Sequence, residues 1–121
     1  MTDKLIISGS RSINNQEFIL ESIYKSSLYT GEEEILVGDA KGVDKIVRLY
    51  FDNVTLYQAE WGKYGDSAGP MRNGEMVEDG DKLIAIWDGE STGTANAIGQ
   101  AKDQGLPVDI IHCEENSLFD Y

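Results

Sequence analysis

Short apolar runs alternate along the chain with stretches in which apolar residues recur every three or four positions. The runs occupy 4–8 ("KLIIS"), 34–38 ("EILVG"), 54–58 ("VTLYQ"), 82–87 ("KLIAIW") and 107–112 ("PVDIIH"). Runs that short, bounded by Gly, Pro or Asn, read as buried strands. Between the first two, Phe18, Ile19, Leu20, Ile23, Tyr24 and Leu28 fall near helical spacing, and Asn14 with Glu17 three residues on resembles a capping box. Val43, Ile46, Val47, Tyr50 and Phe51 follow the one-face pattern of an amphipathic helix. The stretch 59–69 ("AEWGKYGDSAG") reads as a loop. Pro70 then takes a helix's first position, where its missing N–H costs nothing, and 71–79 is a short helix weakened by Gly74. A last helix covers 94–104 and closes at Gly105.

Strand–helix alternation of this kind predicts an α/β fold. Right-handed crossovers, with the winding reversed around strand one, give a Rossmann-like, doubly wound, mostly parallel five-stranded sheet. Helices cover both faces, and the expected strand order is 3-2-1-4-5. Residues 1–121 form a single domain with a short acidic tail from about 114. In such sheets ligands bind beyond the carboxyl ends of the strands, so the loops there are the place to look.

Composition narrows the function classes. With 40% apolar and 26% charged residues, the chain reads as an ordinary soluble domain. Nothing approaches the roughly 18–20 apolar residues of a membrane span, and no basic region precedes the first apolar run, so neither a membrane partner nor a secretory signal is expected. The single cysteine, Cys113, fits a cytoplasmic location. His112 beside it points to the opposite strand face, so no metal site is expected. Ten basic against 22 acidic residues leave a net charge of −12, which repels nucleic acid polymers. One small phosphorylated ligand remains compatible with it. The acidic run 31–34 and the tail read as solvated surface.

Three strands end in glycine-containing turns. The first offers Gly9, Ser10 and Arg11; the second Gly38, Asp39, Gly42 and Asp44; the third Gly93 and Thr94 at a helix N-terminus, where the dipole favours anions. Trp61 and Tyr64 stand in the polar loop, where they suit stacking on a nucleobase, while Trp61 is equally suited to plugging the core beneath. Arg72 and Asn73 open the next helix. A cation there gains nothing from the dipole, which points to a bound phosphate or a nearby carboxylate as its partner. Glu60 and Glu90 add carboxylates at loop positions. Glu75 reads as a surface charge, and Met71 and Met76 as packing.

The segments "ISGSR", "VGDAKGVD", "WGKYGDSAGPMRNGEM" and "DGESTGTANAIGQAKDQGLPV" follow one another across almost the whole chain. Together they resemble the SLOG superfamily, in particular the YspA/YpsA-related branch of short bacterial and phage proteins. The LOG enzymes, which share the fold, bind nucleoside monophosphates and cleave base from ribose 5′-phosphate. The resemblance implies a nucleotide ligand, no additional cofactor and a homodimer or larger homo-oligomer. It matches Arg72 to the LOG arginine, Met76 to the methionine after it, and Gly93 and Thr94 to the phosphate-holding glycine–threonine. Asn73 stands where those enzymes have lysine, Asp88 where they have proline and Ala97 where they have glutamate. A binding protein is therefore expected ahead of an enzyme. A hydrolase would need a displaced carboxylate from Asp39, Asp44, Glu60 or Glu90, with Arg72 beside it. A structural protein with a degenerate site is the remaining alternative.

Overall fold

The computed structural model describes residues 2–113, so the acidic tail lies outside the described residues. Five strands form one sheet: β1 (Lys4–Gly9), β2 (Glu34–Gly38), β3 (Val54–Tyr57), β4 (Lys82–Trp87) and β5 (Val108–His112). Their order is β3-β2-β1-β4-β5, and every neighbouring pair is parallel. The fold is the α/β, doubly wound one expected, with a wholly parallel sheet. From β1 the chain winds outward to β3, then crosses back to place β4 on the other side of β1.

The apolar runs divide their side chains between two cores, as a period of two in a sheet covered on both faces requires. Leu5, Ile7, Ile35, Val37, Ile84 and Ile86 pack on one face against Ile19 and Ile23 of α1 (Gln16–Lys25) and Val43 and Val47 of α2 (Val43–Tyr50). Ile6, Leu36, Leu83 and Ala85 pack on the other. Their partners there are Met76 and Val77 of α4 (Ala68–Asp79), and Ile98 and Ala101 of α5 (Thr92–Asp103). Among the described residues no helix is long and apolar enough to cross a membrane.

Several local expectations shift. The cap of α1 is Asn15, not Asn14; its carboxamide oxygen accepts the Phe18 N–H at 3.0 Å. The helix ends at Lys25, so Leu28 lies beyond it. The stretch after β3 is not all loop: α3 (Trp61–Tyr64) and a 3-10 turn (Gly65–Ser67) lead directly into α4. Helix α4 begins at Ala68, which puts Pro70 third and Arg72 in the second turn. Proline is still tolerated at the third position, because the first N–H groups of a helix have no partner within it. Met76 is buried as expected, whereas Met71 is 42% exposed and does not belong to either core.

The run 31–34 is not simply solvated. Glu33 is buried just before β2, where its carboxylate accepts from Lys82 Nζ at 2.7 Å and from the Thr30 and Gly31 N–H groups. Burial alone would raise its carboxyl, but these donors outweigh burial and hold it at about 2. That network closes the amino end of the sheet. The carboxyl end is built differently.

Candidate functional site

A cleft of about 890 Å³ opens beyond the carboxyl ends of β1, β2 and β4. A second concavity, of about 540 Å³ between α4 and α5, is lined by Glu78 and Asp103 and by no cation. The larger cleft lies where the winding reverses between β1 and β4, the usual ligand position in a doubly wound sheet. It brings together Gly9, Arg11, Asp39, Asp44, Trp61, Arg72, Asn73, Gly93 and Thr94 of the residues singled out above. Ser10, Gly38, Gly42, Tyr64, Glu60 and Glu90 are not among its lining residues.

The β4–α5 turn is organised by Asp88. Its carboxylate accepts the Glu90 and Ser91 N–H groups, each at 2.8 Å, and the Ser12 hydroxyl at 2.7 Å. Burial would push this carboxyl up, yet those bonds, helped by the Ser10 hydroxyl, hold it at about 2. Ser91 caps α5: its hydroxyl accepts the Thr94 N–H at 3.4 Å and lies 3.3 Å from the Thr94 hydroxyl. Among the described residues, this leaves the Thr92 and Gly93 N–H groups as the first-turn donors with no protein acceptor. A side chain at Gly93 would meet nothing within 4 Å. Packing does not demand glycine there, and its effect is to leave the helix N-terminus bare.

Gly9, Gly38 and Gly42 have structural reasons. A Cβ on Gly9 would lie 2.4 Å from Val43, where α2 packs on β1. Gly42 turns with φ +69 against the Ser10 and Arg11 carbonyls. At Gly38 a Cβ would lie 2.3 Å from Arg72 Nη1, so this glycine makes room for the guanidinium.

Arg72 is 12% exposed and donates through Nη1 to Asp39 Oδ1 at 2.9 Å and through Nε to Asn73 Oδ1 at 3.1 Å. Asn73 is buried, and its amide donates to the Gly93 carbonyl at 3.2 Å and to Asn96 Oδ1 at 3.1 Å. It therefore ties Arg72 to the first turn of α5. The nearby carboxylate anticipated for Arg72 is Asp39. Behind the β2–α2 loop, Arg48 donates to the Gly38 and Ala40 carbonyls at 2.8 and 3.0 Å and fixes the loop's path.

Asp44 is the buried carboxyl of the cleft, 5% exposed, accepting the Ala40 N–H at 3.2 Å. Burial pushes it up to about 6 despite the Ala40 bond and the Arg72 and Arg48 cations, and Asp39 adds to the rise. Arg11 and Lys41 are exposed at the cleft and make no ion pair among the described residues. Trp61 does not plug the core. It is 53% exposed, with its ring edge beside Gly69, where a Cβ would come within 3.2 Å. Tyr64 stands outside the lining, under the Lys63 ammonium at 5.0 Å from the ring centre. The Ser10 and Thr94 hydroxyls are buried and bonded internally, so they shape the loops from behind.

Lys41, Asp66 and Asn96 also line the cleft and were not anticipated, while Ser91 and Thr92 line it as part of the same β4–α5 turn as Gly93 and Thr94. Lys41 had a visible signal, a cation inside a glycine-bounded turn. Asp66 comes from the 3-10 turn before α4 and Asn96 from α5.

No family model matches the chain, and no solved structure matches it. The chain is similar to the Gene 61 protein of Mycobacterium phage D29, at 32% identity over 117 residues, covering 87% of this chain and 93% of that protein. It belongs to the same family as that phage protein.

Proposed function

We propose that this relative of the phage Gene 61 protein is a nucleotide-binding protein of the SLOG type that senses, sequesters or presents a nucleotide or nucleotide-derived signal. One observation carries the reading. In a chain of net charge −12, the cleft at the switch point combines two cations with no ion-pair partner among the described residues, Arg11 and Lys41, with the open first turn of α5. Free N–H groups at a helix start and local cations are what a phosphate requires, and exposed Trp61 offers a face on which a base can stack.

Binding without cleavage fits the buried Ala97, which places no carboxylate on the inner face of α5. A second reading, hydrolysis of the N-glycosidic bond, is favoured by Asp44 alone. It is a cleft-lining carboxyl poised near 6, in the range suited to proton transfer near neutral pH. Glu60 and Glu90 lack that placement.

A thermal-shift screen of nucleoside mono-, di- and triphosphates tests the binding reading, and a flat response to all of them removes it. Incubation of the best binder, followed by chromatography for free base, separates the two readings. The binding reading predicts no release, whereas multiple turnovers abolished by Asp44→Asn would establish the hydrolase.

A further inference from the structure

We propose that the Asp39–Arg72 pair reads the sugar of the bound nucleotide and makes the cleft selective for ribonucleotides over 2′-deoxyribonucleotides. The inference rests on the nucleotide reading above and adds to it the direction in which the ligand lies.

The cations of the cleft fall into two kinds. Arg11 and Lys41 have no carboxylate partner among the described residues, whereas Arg72 is held 2.9 Å from Asp39. A phosphate brought to Arg72 would meet the Asp39 carboxylate at close range, and like charges at that distance repel. A sugar hydroxyl carries no charge and both donates and accepts. The pair offers both functions side by side. Asp39 uses Oδ1 for Arg72 and keeps Oδ2 free of protein donors, and Arg72 keeps Nη2 free of protein acceptors, among the described residues. A vicinal diol can donate to Asp39 Oδ2 and accept from Arg72 Nη2 at once.

Placement agrees with this. Asp39 directly follows the last residue of β2, where carboxylates of doubly wound sheets accept from ribose hydroxyls. Its side chain is 31% exposed, open enough to be reached. The guanidinium is fixed in place: Gly38 leaves the space for it, Asp39 and Asn73 accept from Nη1 and Nε, and Asn73 is itself bonded to the Gly93 carbonyl. The phosphate then belongs at Arg11, Lys41 and the α5 N-terminus, with the sugar between it and β2.

The test is calorimetric titration with the common ribonucleoside 5′-mono-, di- and triphosphates and their 2′-deoxy counterparts. Wild-type protein is expected to bind its preferred ribonucleotide about tenfold or more tighter than the deoxy form, the scale of one charge-assisted hydrogen bond. Asp39→Ala should bring that ratio close to one, while Arg11→Ala weakens both ligands and preserves it. Asp39→Asn, near-isosteric, should lower the ratio part of the way, because it replaces a charge-assisted bond to the sugar hydroxyl by a neutral one. A pair that only ties the β2 loop to α4 would lower both affinities together and leave the ratio unchanged. That result overturns the proposal, as does equal affinity in the wild type. If none of these nucleotides binds, the nucleotide reading falls and the sugar assignment with it. Binding without sugar preference overturns the sugar assignment alone.

Discussion

Each end of the sheet carries an ion pair between distant parts of the chain, and the two pairs are finished differently. At the amino end, Glu33 and Lys82 meet at 2.7 Å with side chains 1% and 11% exposed. Backbone N–H groups of Thr30 and Gly31 occupy the remaining carboxylate valences. At the carboxyl end, Arg72 and Asp39 meet at 2.9 Å, yet Asp39 remains 31% exposed with one oxygen uncommitted among the described residues. The amino-end network is a closed structural joint. The carboxyl-end network is fixed from behind and open in front, as the proposed contact with a ligand requires.

Substitution separates the two ends most sharply. Lys82→Met leaves Glu33 buried without its cation and should cost about 3–5 kcal/mol in urea unfolding, with ligand affinity unchanged in protein that remains folded. Arg72→Ala leaves a carboxylate that water can reach, so its stability cost should stay near 1 kcal/mol. Its ligand affinity should nevertheless fall by about 1.5–3 kcal/mol. Equal stability losses at both ends would erase the distinction.

The two ends also answer pH in opposite directions. Glu33 is held at about 2 from an ordinary 4.5, so its stabilisation is complete above 4.5 and lost as pH falls towards 2. Asp44 is raised from 3.8 to about 6, so the fold favours its neutral form, and that contribution is lost as pH rises through about 6. Stability should therefore peak at mildly acid pH. Asp44→Asn should remove the decline between pH 4 and 7, raising stability at neutral pH by about 1–2 kcal/mol. A decline that persists in Asp44→Asn would assign it to another group.

The smallest effect is the most discriminating for the open end. Gly93→Ala has free space for its methyl group and should stabilise α5 by about 0.5–1 kcal/mol. The same methyl group narrows the approach to the Gly93 N–H, so nucleotide affinity should drop. A stabilised protein with undiminished affinity would show that the bare first turn is not used.

The architecture was legible because buried parallel strands write themselves as short continuous apolar runs. The runs at 34–38 and 82–87 match β2 and β4 residue for residue, and their alternation with helices implied the strand order. Boundaries in small-residue segments were not legible. Nothing in "GDSAG" announces a helix beginning at Ala68, because tertiary packing against the sheet and α5 decides it. Charge was misjudged where its partner is remote: Glu33 looked like one member of a solvated run, and Lys82, 49 residues away, is what draws it inside. Among the site residues, the glycine-bounded loops after β1, β2 and β4 did converge on one cleft. Which glycines serve packing, and which leaves a helix start open, depended on neighbours from other elements. Ser10 and Thr94 show the same limit, since hydroxyls that suit a phosphate are used instead to hold the turns together.

The central claim is that the open end holds a phosphorylated ligand through Arg11, Lys41 and the start of α5. Calorimetric titration of one nucleoside 5′-monophosphate against its nucleoside tests it most directly. The nucleotide should bind more tightly by about 2–4 kcal/mol, the contribution of two or so charge-assisted bonds, and Arg11→Ala should narrow that gap. Equal affinity for nucleotide and nucleoside would contradict the claim.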